Sequence, residues 1–216
     1  MKNLVIFGSG YHAKVVFWEA MKTKRYNILG FIDDKIKEKK IIVKHNRKNY
    51  INLGSTQESI LSLIKKRKKF CGIIGIGSNI IRKKIVKKIN LFEKNFNWEK
   101  IVSKSTNIDL DVFIDKGSFI NSGVIIKNGT KIKKHCLINT SASIDHDNYF
   151  DNFSSCGPGV ITGGNVKVGQ LSHLGIGSVI KEKIEIQDDV LVGGNSFVNK
   201  DCKKGNTYFG VPIKKQ

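Results

Sequence analysis

The sequence predicts an α/β half followed by a parallel β-solenoid, and two patterns carry that reading. The first is a sixfold period. Apolar or near-apolar residues recur at Ile108, Ile114, Ile120, Ile126, Ile132, Ile138, Ile144, Phe150, Cys156, Thr162, Val168, Leu174, Ile180, Ile186, Val192 and Val198, 16 hexads without a slip of register. Four residues into most hexads stands a small or β-branched residue, as at Val112, Ser118, Val124, Thr130, Cys136, Ala142, Ser154, Val160, Val166, Ser172 and Ser178. Neither the helix period of 3.6 nor the strand period of 2 keeps phase over such a run. A hexapeptide repeat is the mark of a β-helix, in which short strands stack and each coil is stable only because its neighbours bury its inner face. The second pattern, before residue 100, alternates short apolar runs, Gly-rich turns and helical stretches, the grammar of a small parallel sheet.

Taken in order, Asn3 to Phe7 reads as a strand running into the turn Gly8-Ser9-Gly10-Tyr11-His12-Ala13. A helix is expected from about Ala13 to Lys22, then a strand from Ile28 to Ile32 that ends at Asp33-Asp34-Lys35. The charged stretch Lys35 to Lys48 reads as a loop. A helix near Gln57 to Lys68, a strand from Cys71 to Ile76, the turn Gly77-Ser78-Asn79 and a helix from Ile80 to Ile89 follow. The expected domains are residues 1–100, the hexads to 204, and an extended tail over 205–216 that leaves the repeat.

A formal charge of +20 raises the question of nucleic acid. Lysines outnumber arginines, run along both halves and accompany abundant Ile and Asn, which reads as compositional drift rather than a built groove. No stacking platform or recognition helix accompanies them, so neither nucleic acid nor a membrane is expected as a partner. Anionic small ligands suit the charge better. The early apolar run Leu4 to Phe7 is too short for a signal or a span, and a cytosolic protein is expected. Cys136, Cys156 and Cys202 fall in inward or small-residue slots and read as core residues, outside any metal-ligand spacing.

The turn G-S-G-Y-H-A fits the relaxed dinucleotide pattern G-x-G-x-x-G/A, with Asp33 where a ribose partner belongs. It points to a nucleotide-like ligand at a helix N-terminus more than to NAD, because the half is too small for a full dinucleotide fold. Asp145-His146-Asp147 is the one dense acid–base cluster in the hexads. A histidine beside carboxylates suits a general base near neutral pH. His173 is a second candidate; His135, His12 and His45 lack catalytic company, and no metal site is expected. With three hexads to a coil, residues 18 apart stack about 4.8 Å apart, which places Gly164 one coil above His146. A base with a bare amide one layer off suits acyl transfer, the N–H holding the oxyanion. No nucleophilic elbow is present, so direct transfer is expected.

Over nearly its full length the chain resembles the bacterial sugar acetyltransferases of the sialic acid O-acetyltransferase and bacillosamine N-acetyltransferase (NeuD/PglD) type. The matching motifs are V-I-F-G-S-G-Y-H-A, F-I-D-D-K, G-I-G-S-N-I-I-R-K-K-I, I-N-T-S-A-S-I-D-H-D, G-G-N-V-K-V-G and F-G-V-P-I-K. The resemblance implies a Rossmann-like N-terminal domain that holds the sugar, a left-handed β-helix, a homotrimer, and acetyl-CoA in a groove between neighbouring β-helices. It gives His146 the general-base role, Asp147 the carboxylate beside it, and Gly164 the oxyanion amide. Ser155, His173, Ile176 and Gly194 fall along the acetyl-CoA groove. Ser9, Gly10, His12, Asp33, Asp34, Lys35, Gly77 and Ser78 fall at the substrate. Three departures concern the acceptor: Asp147 stands where Glu is frequent, Ser155 where a second His is common, and the turn reads G-Y-H-A. The expected reaction is acetylation of an amino sugar, foremost a nucleotide-linked 4-amino sugar. The rivals are O-acetylation of a nonulosonate, an NAD-binding oxidoreductase and a non-catalytic sugar-nucleotide-binding trimer.

Overall fold

The computed structural model describes residues 1–65 and 69–216, and these form two units, Met1–Ile101 and Val102–Gln216. In the first unit, β1 (Lys2–Phe7) is the middle of a three-stranded parallel sheet. α1 (Tyr11–Thr23) leads to β2 (Tyr26–Ile32) on one side, and α2 (Thr56–Lys65) leads to β5 (Cys71–Ile74) on the other. Between them lie β3 (Ile41–His45) and β4 (Lys48–Ile51), and α3 (Asn79–Asn90) follows the sheet. Both sheet faces are covered, which is why β1 reads as an unbroken apolar run rather than an alternation. Leu4, Val5, Ile6 and Phe7 are all buried, with Val5 and Phe7 packed among Ile60, Ile89, Phe96 and Trp98.

The charged stretch after residue 35 is not all loop. Ile41–His45 and Lys48–Ile51 pair antiparallel around Asn46-Arg47, whose φ angles of 45° and 60° give the two left-handed residues of a tight hairpin. Its inward residues Val43 and Tyr50 are buried, and Tyr50 meets Phe17 edge-on at 4.7 Å. Asn52, fully buried, then ties the loop after β2: its Nδ2 donates to Ile36 O at 2.6 Å and its Oδ1 accepts from Asp33 N at 3.0 Å. The end of the helix expected to reach Lys68 lies outside the described residues.

The second unit is a parallel β-solenoid matching a left-handed β-helix. Each hexad contributes one two-residue strand, and strands pair in parallel with those 18 residues away, as Ile125 with Ser143 and Ser143 with Ile161. Three faces result. The first runs from Asn107–Ile108 to Phe197–Val198, the second from Phe113–Ile114 to Glu185–Ile186, and the third includes Phe119–Ile120 through Leu191–Val192. The sixfold residues fill the core in the expected register, with Ile120 to Ile144, Phe150, Cys156, Val168 and Leu174 sealed from solvent. Every sixth residue from 117 to 195 has φ between 53° and 77°. One left-handed residue per hexad is what bends the chain from face to face, and only some of these positions are Gly, Asn or Asp. The tail does not leave the repeat as an extended segment. Thr207–Phe209 pair in parallel with Leu191–Val192 and then antiparallel with Lys214–Lys215, while Tyr208 and Ile213 close the end of the core.

Candidate active site

In the first unit the candidate residues gather at the C-terminal ends of β1, β2 and β5, where the strand order β2-β1-β5 reverses direction about β1. Such a switch point is where open parallel sheets take ligands. A cavity of about 200 Å³ opens there, lined by Phe7, Gly8, Asp33, Asp34, Lys35 and Thr56 together with Ile32, Ile76, Ile81 and Ile85. Gly8 is held at φ 95°, and a Cβ on it would meet Ile76 Cγ1 at 2.6 Å. Gly10 and Gly77 face open space, so backbone can be approached from outside at both helix entries. Gly10 caps α1 without a side-chain bond, and Ser78 caps α3 by accepting from Ile81 N at 3.4 Å.

The two aspartates are engaged differently. Asp33 takes the Ser9 hydroxyl at 2.7 Å on Oδ2 and the Lys35 amide at 3.0 Å on Oδ1, linking the β1 and β2 turns. Asp34 receives the first amide of α2, Thr56 N, at 2.6 Å and Lys88 Nζ at 2.6 Å. Partial burial pushes the Asp34 carboxyl up, but the bonds from Lys88 and Thr56 outweigh it and hold it below the ordinary range. His12 does not stand as a charged group: burial, and secondly the Arg82 guanidinium, push its imidazole down to about 4. Arg82 is itself buried, donating to Gly77 O at 2.7 Å and Ile76 O at 3.3 Å. Neither Arg82 nor Asn52 stands out by periodicity, since each is a polar residue buried for the sake of loop carbonyls.

In the second unit His146 sits on the turn from first to second face. Its Nδ1 lies 2.8 Å from Asp147 Oδ2. With an ionised carboxylate able only to accept, Nδ1 carries the hydrogen and Nε2 presents its lone pair. The hydrogen bond to Asp147 raises this exposed imidazole above the ordinary histidine value; desolvation opposes it, and the charges of Asp145 and Asp147 add to the rise. The ring lies across the next coil: a Cβ on Gly164 would stand 2.5 Å from both Cε1 and Nε2 of His146, so a side chain there would displace the imidazole. At several equivalent turn positions the amide is satisfied by an Asx side chain, as His146 N by Asp145 Oδ1 at 2.8 Å and Asn152 N by Asp151 Oδ1 at 2.6 Å. Gly163 has no such oxygen to offer Gly164.

Ser155 and His173 face each other on adjacent rungs of the third face, Oγ to Nδ1 at 2.8 Å. Ile176 and Gly194 lie on the following turns toward the first face, stacked so that a Cβ on Gly194 would approach Ile176 Cγ2 at 3.0 Å. Thus His146, Asp147 and Gly164 meet at one corner of the prism, and Ser155, His173, Ile176 and Gly194 cluster at another. A single chain does not join the two sets.

Residues 3–89 match the family model of the PglD N-terminal domain. The whole chain is similar to the acetyltransferase domain of PglB from Neisseria gonorrhoeae FA1090 in complex with acetyl coenzyme A, at 25% identity and a TM-score of 0.88 over 100% of this chain and 99% of that one. PerB from Caulobacter crescentus, in complex with CoA and GDP-perosamine, matches at 24% identity and a TM-score of 0.87 over 100% and 98% of the two chains. WeeI from Acinetobacter baumannii AYE matches at 21% and 0.83 over the whole of both. The N-terminal part is thus similar to the PglD N-terminal domain, and from end to end the chain shares the fold of the PglB acetyltransferase domain and PerB.

Proposed function

We propose that the chain is an acetyl-CoA-dependent acetyltransferase whose acceptor is a nucleotide-linked 4-amino sugar. The observation that carries this reading is the His146–Asp147 pair at 2.8 Å with the imidazole laid over the bare backbone of Gly164. The amine nitrogen attacks the thioester carbonyl carbon while His146 Nε2 removes its proton. The Gly164 N–H donates to the oxyanion, which is worth most in a water-excluded site. As the C–S bond breaks, His146 returns the proton to the departing CoA sulfur, leaving an acetamide and free CoA. The raised basicity of His146 suits the first step and still lets the imidazolium give the proton up in the second.

Acetyl-CoA would be held by the Ser155 and His173 pair, Ile176 and the open backbone at Gly194. Those residues sit at a different corner from His146, so the reading requires a second copy to complete the site, and a homotrimer provides one per groove. The acceptor would lie in the 200 Å³ cavity of the N-terminal unit, with Ser9, Gly10, His12, Gly77 and Ser78 at its phosphates and Asp33 and Lys35 at its polar groups. Asp34 serves there through Lys88 and α2. A cytoplasmic location follows from the substrates. Among the described residues no helix is long and apolar enough to cross a membrane.

The test is thiol release from acetyl-CoA with UDP-, GDP- and CMP-linked 4-amino sugars, N-acetylneuraminate and NADH as the panel. One acetamide formed per thiol released with an amino sugar is expected. Turnover of N-acetylneuraminate alone would move the reading to O-acetylation, and NADH binding without any thiol release would move it to an oxidoreductase.

A further inference from the structure

The inward small-residue slot of the hexads holds one carboxamide. Val112, Ser118, Val124, Thr130, Cys136 and Ala142 lead to Asn148, after which Ser154 and Val160 resume the series. Asn148 is 1% exposed, so its side chain lies inside the prism. Three hydroxyls of this slot reach a carbonyl fifteen residues ahead, Ser118 Oγ to Lys133 O at 2.7 Å, Thr130 Oγ1 to Asp145 O at 2.9 Å and Ser172 Oγ to Gln187 O at 2.6 Å, while Ser154 and Ser178 turn back to the carbonyls of Asp151 and Gly175. Asn148 Nδ2 likewise reaches ahead, to Gly163 O at 2.9 Å. It also donates to Asp145 O at 2.7 Å and lies 3.1 Å from His146 O. One buried amide thus grips both turns of the candidate site, that of His146 and that of Gly164.

The Gly163 contact has a directional consequence. The carbonyl of Gly163 and the N–H of Gly164 belong to the same peptide unit. The only cis bond among the described residues is Val211-Pro212, so this peptide is trans and its C=O and N–H point opposite ways. Drawing Gly163 O into the prism turns Gly164 N–H outward, to the side where the His146 ring lies. A glycine pair has little intrinsic preference to hold that plane, so an external tether is needed. The tether carries a cost, because Asn148 Oδ1 is buried without a hydrogen-bond partner. A residue that breaks the local rule at a stability cost is most often kept for function.

We propose that Asn148 is a positioning residue for acetyl transfer, which aims the Gly164 amide at the oxyanion and fixes the His146 turn beneath it. The inference rests on the proposed acetyltransferase reading. Asn148 touches no substrate and acts through the Gly163–Gly164 peptide. Losing an oxyanion donor costs roughly 10²- to 10³-fold in turnover, and a donor left in place but free to swing costs less.

The experiment measures thiol release with the panel sugar that the wild type turns over, for Asn148→Ala, Asn148→Ser and His146→Ala. Ala is already accommodated in this slot at Ala142, and Ser at Ser118 and Ser172. For N148A, kcat is expected to fall about 10- to 100-fold, with KM for acetyl-CoA and for the sugar within about twofold and the acid limb of the pH profile unmoved. N148S, whose hydroxyl can still reach Gly163 O, is expected to recover a substantial part of kcat. Wild-type kcat in N148A while H146A is inactive would overturn the inference and leave the acetyltransferase reading standing. Equal kcat in N148S and N148A, with losses that follow their thermal midpoints, would also overturn it by making Asn148 merely structural. If the wild type turns over none of the sugars, or H146A retains full turnover, the parent reading fails and takes this inference with it.

Discussion

The two units place histidines in opposite electrostatic settings. His12, half-buried beside the Arg82 guanidinium, is held neutral with a pKa of about 4, whereas His146, exposed beside Asp147, is pushed above its ordinary value. The first can only offer neutral hydrogen bonds, which suits holding a ligand next to a cation. The second is exposed, with Nδ1 engaged by Asp147 and Nε2 over Gly164, which suits the proposed proton transfer. The charge is divided in the same way. Residues 1–101 carry 24 Lys and Arg against 7 Asp and Glu, but residues 102–216 carry 14 against 11. Compositional drift alone would load both units alike. An excess of +17 in one and +3 in the other fits an N-terminal unit that gathers an anionic acceptor, and a solenoid whose Asp residues are needed to satisfy turn amides, as Asp109 and Asp111 do for Asn128 and Gly129.

If the solenoid is the chemical unit, His146→Ala should have the largest effect, a fall in kcat of roughly 10²- to 10⁴-fold, with acetyl-CoA affinity by calorimetry nearly unchanged. Loss of acetyl-CoA binding with kcat preserved would reverse the assignment. If the N-terminal unit is the acceptor's, Asp33→Ala should raise the acceptor KM by about 10-fold or more, the scale of a hydrogen bond to a charged group, and leave the acetyl-CoA KM within about twofold. Equal changes in both constants would merge the two roles. The His12 contrast can be tested through stability. A histidine whose folded pKa lies below its unfolded value stabilises the fold above pH 6.5 and loses that contribution as pH falls toward 4. The loss is of order 3 kcal/mol by linkage, read as a falling thermal midpoint across that window. His12→Gln should flatten the fall; an equally steep fall in the variant would place the acid sensitivity elsewhere.

Much of this architecture is legible in the sequence because burial writes a period. The inward positions from Ile114 to Val198 are apolar or, as at Thr162, near-apolar, so the hexads and the 18-residue stacking of Gly164 on His146 can be read directly. The turn column is not legible, because Leu171 and Lys183 adopt the left-handed conformation as Gly177 does, with neighbouring coils enforcing it. The hairpin at Ile41–Ile51 is masked by its lysines and by a turn, Asn46-Arg47, that lacks glycine. Asn52 and Asn148 are hidden for a different reason: a buried amide serving several carbonyls leaves no repeat, only an exception to one. Asn148 interrupts the small-residue slot, and only the directions of its bonds give that interruption a meaning. That the acetyl-CoA candidates lie at another corner from His146 also required the coil to be closed in three dimensions.

In the proposed mechanism His146, tuned by Asp147, removes the proton in acetyl transfer. The most direct test is the pH dependence of kcat/KM for the wild type and Asp147→Asn, which reports the free enzyme's essential base. The wild-type acid limb should lie above 6.5, the unperturbed histidine value, because the base form is reached only once the raised pKa is passed. In D147N the largest cause of that rise is gone, so the limb should move to lower pH while kcat at its plateau falls. A limb that stays where it is in D147N, or moves to higher pH, would contradict the claim.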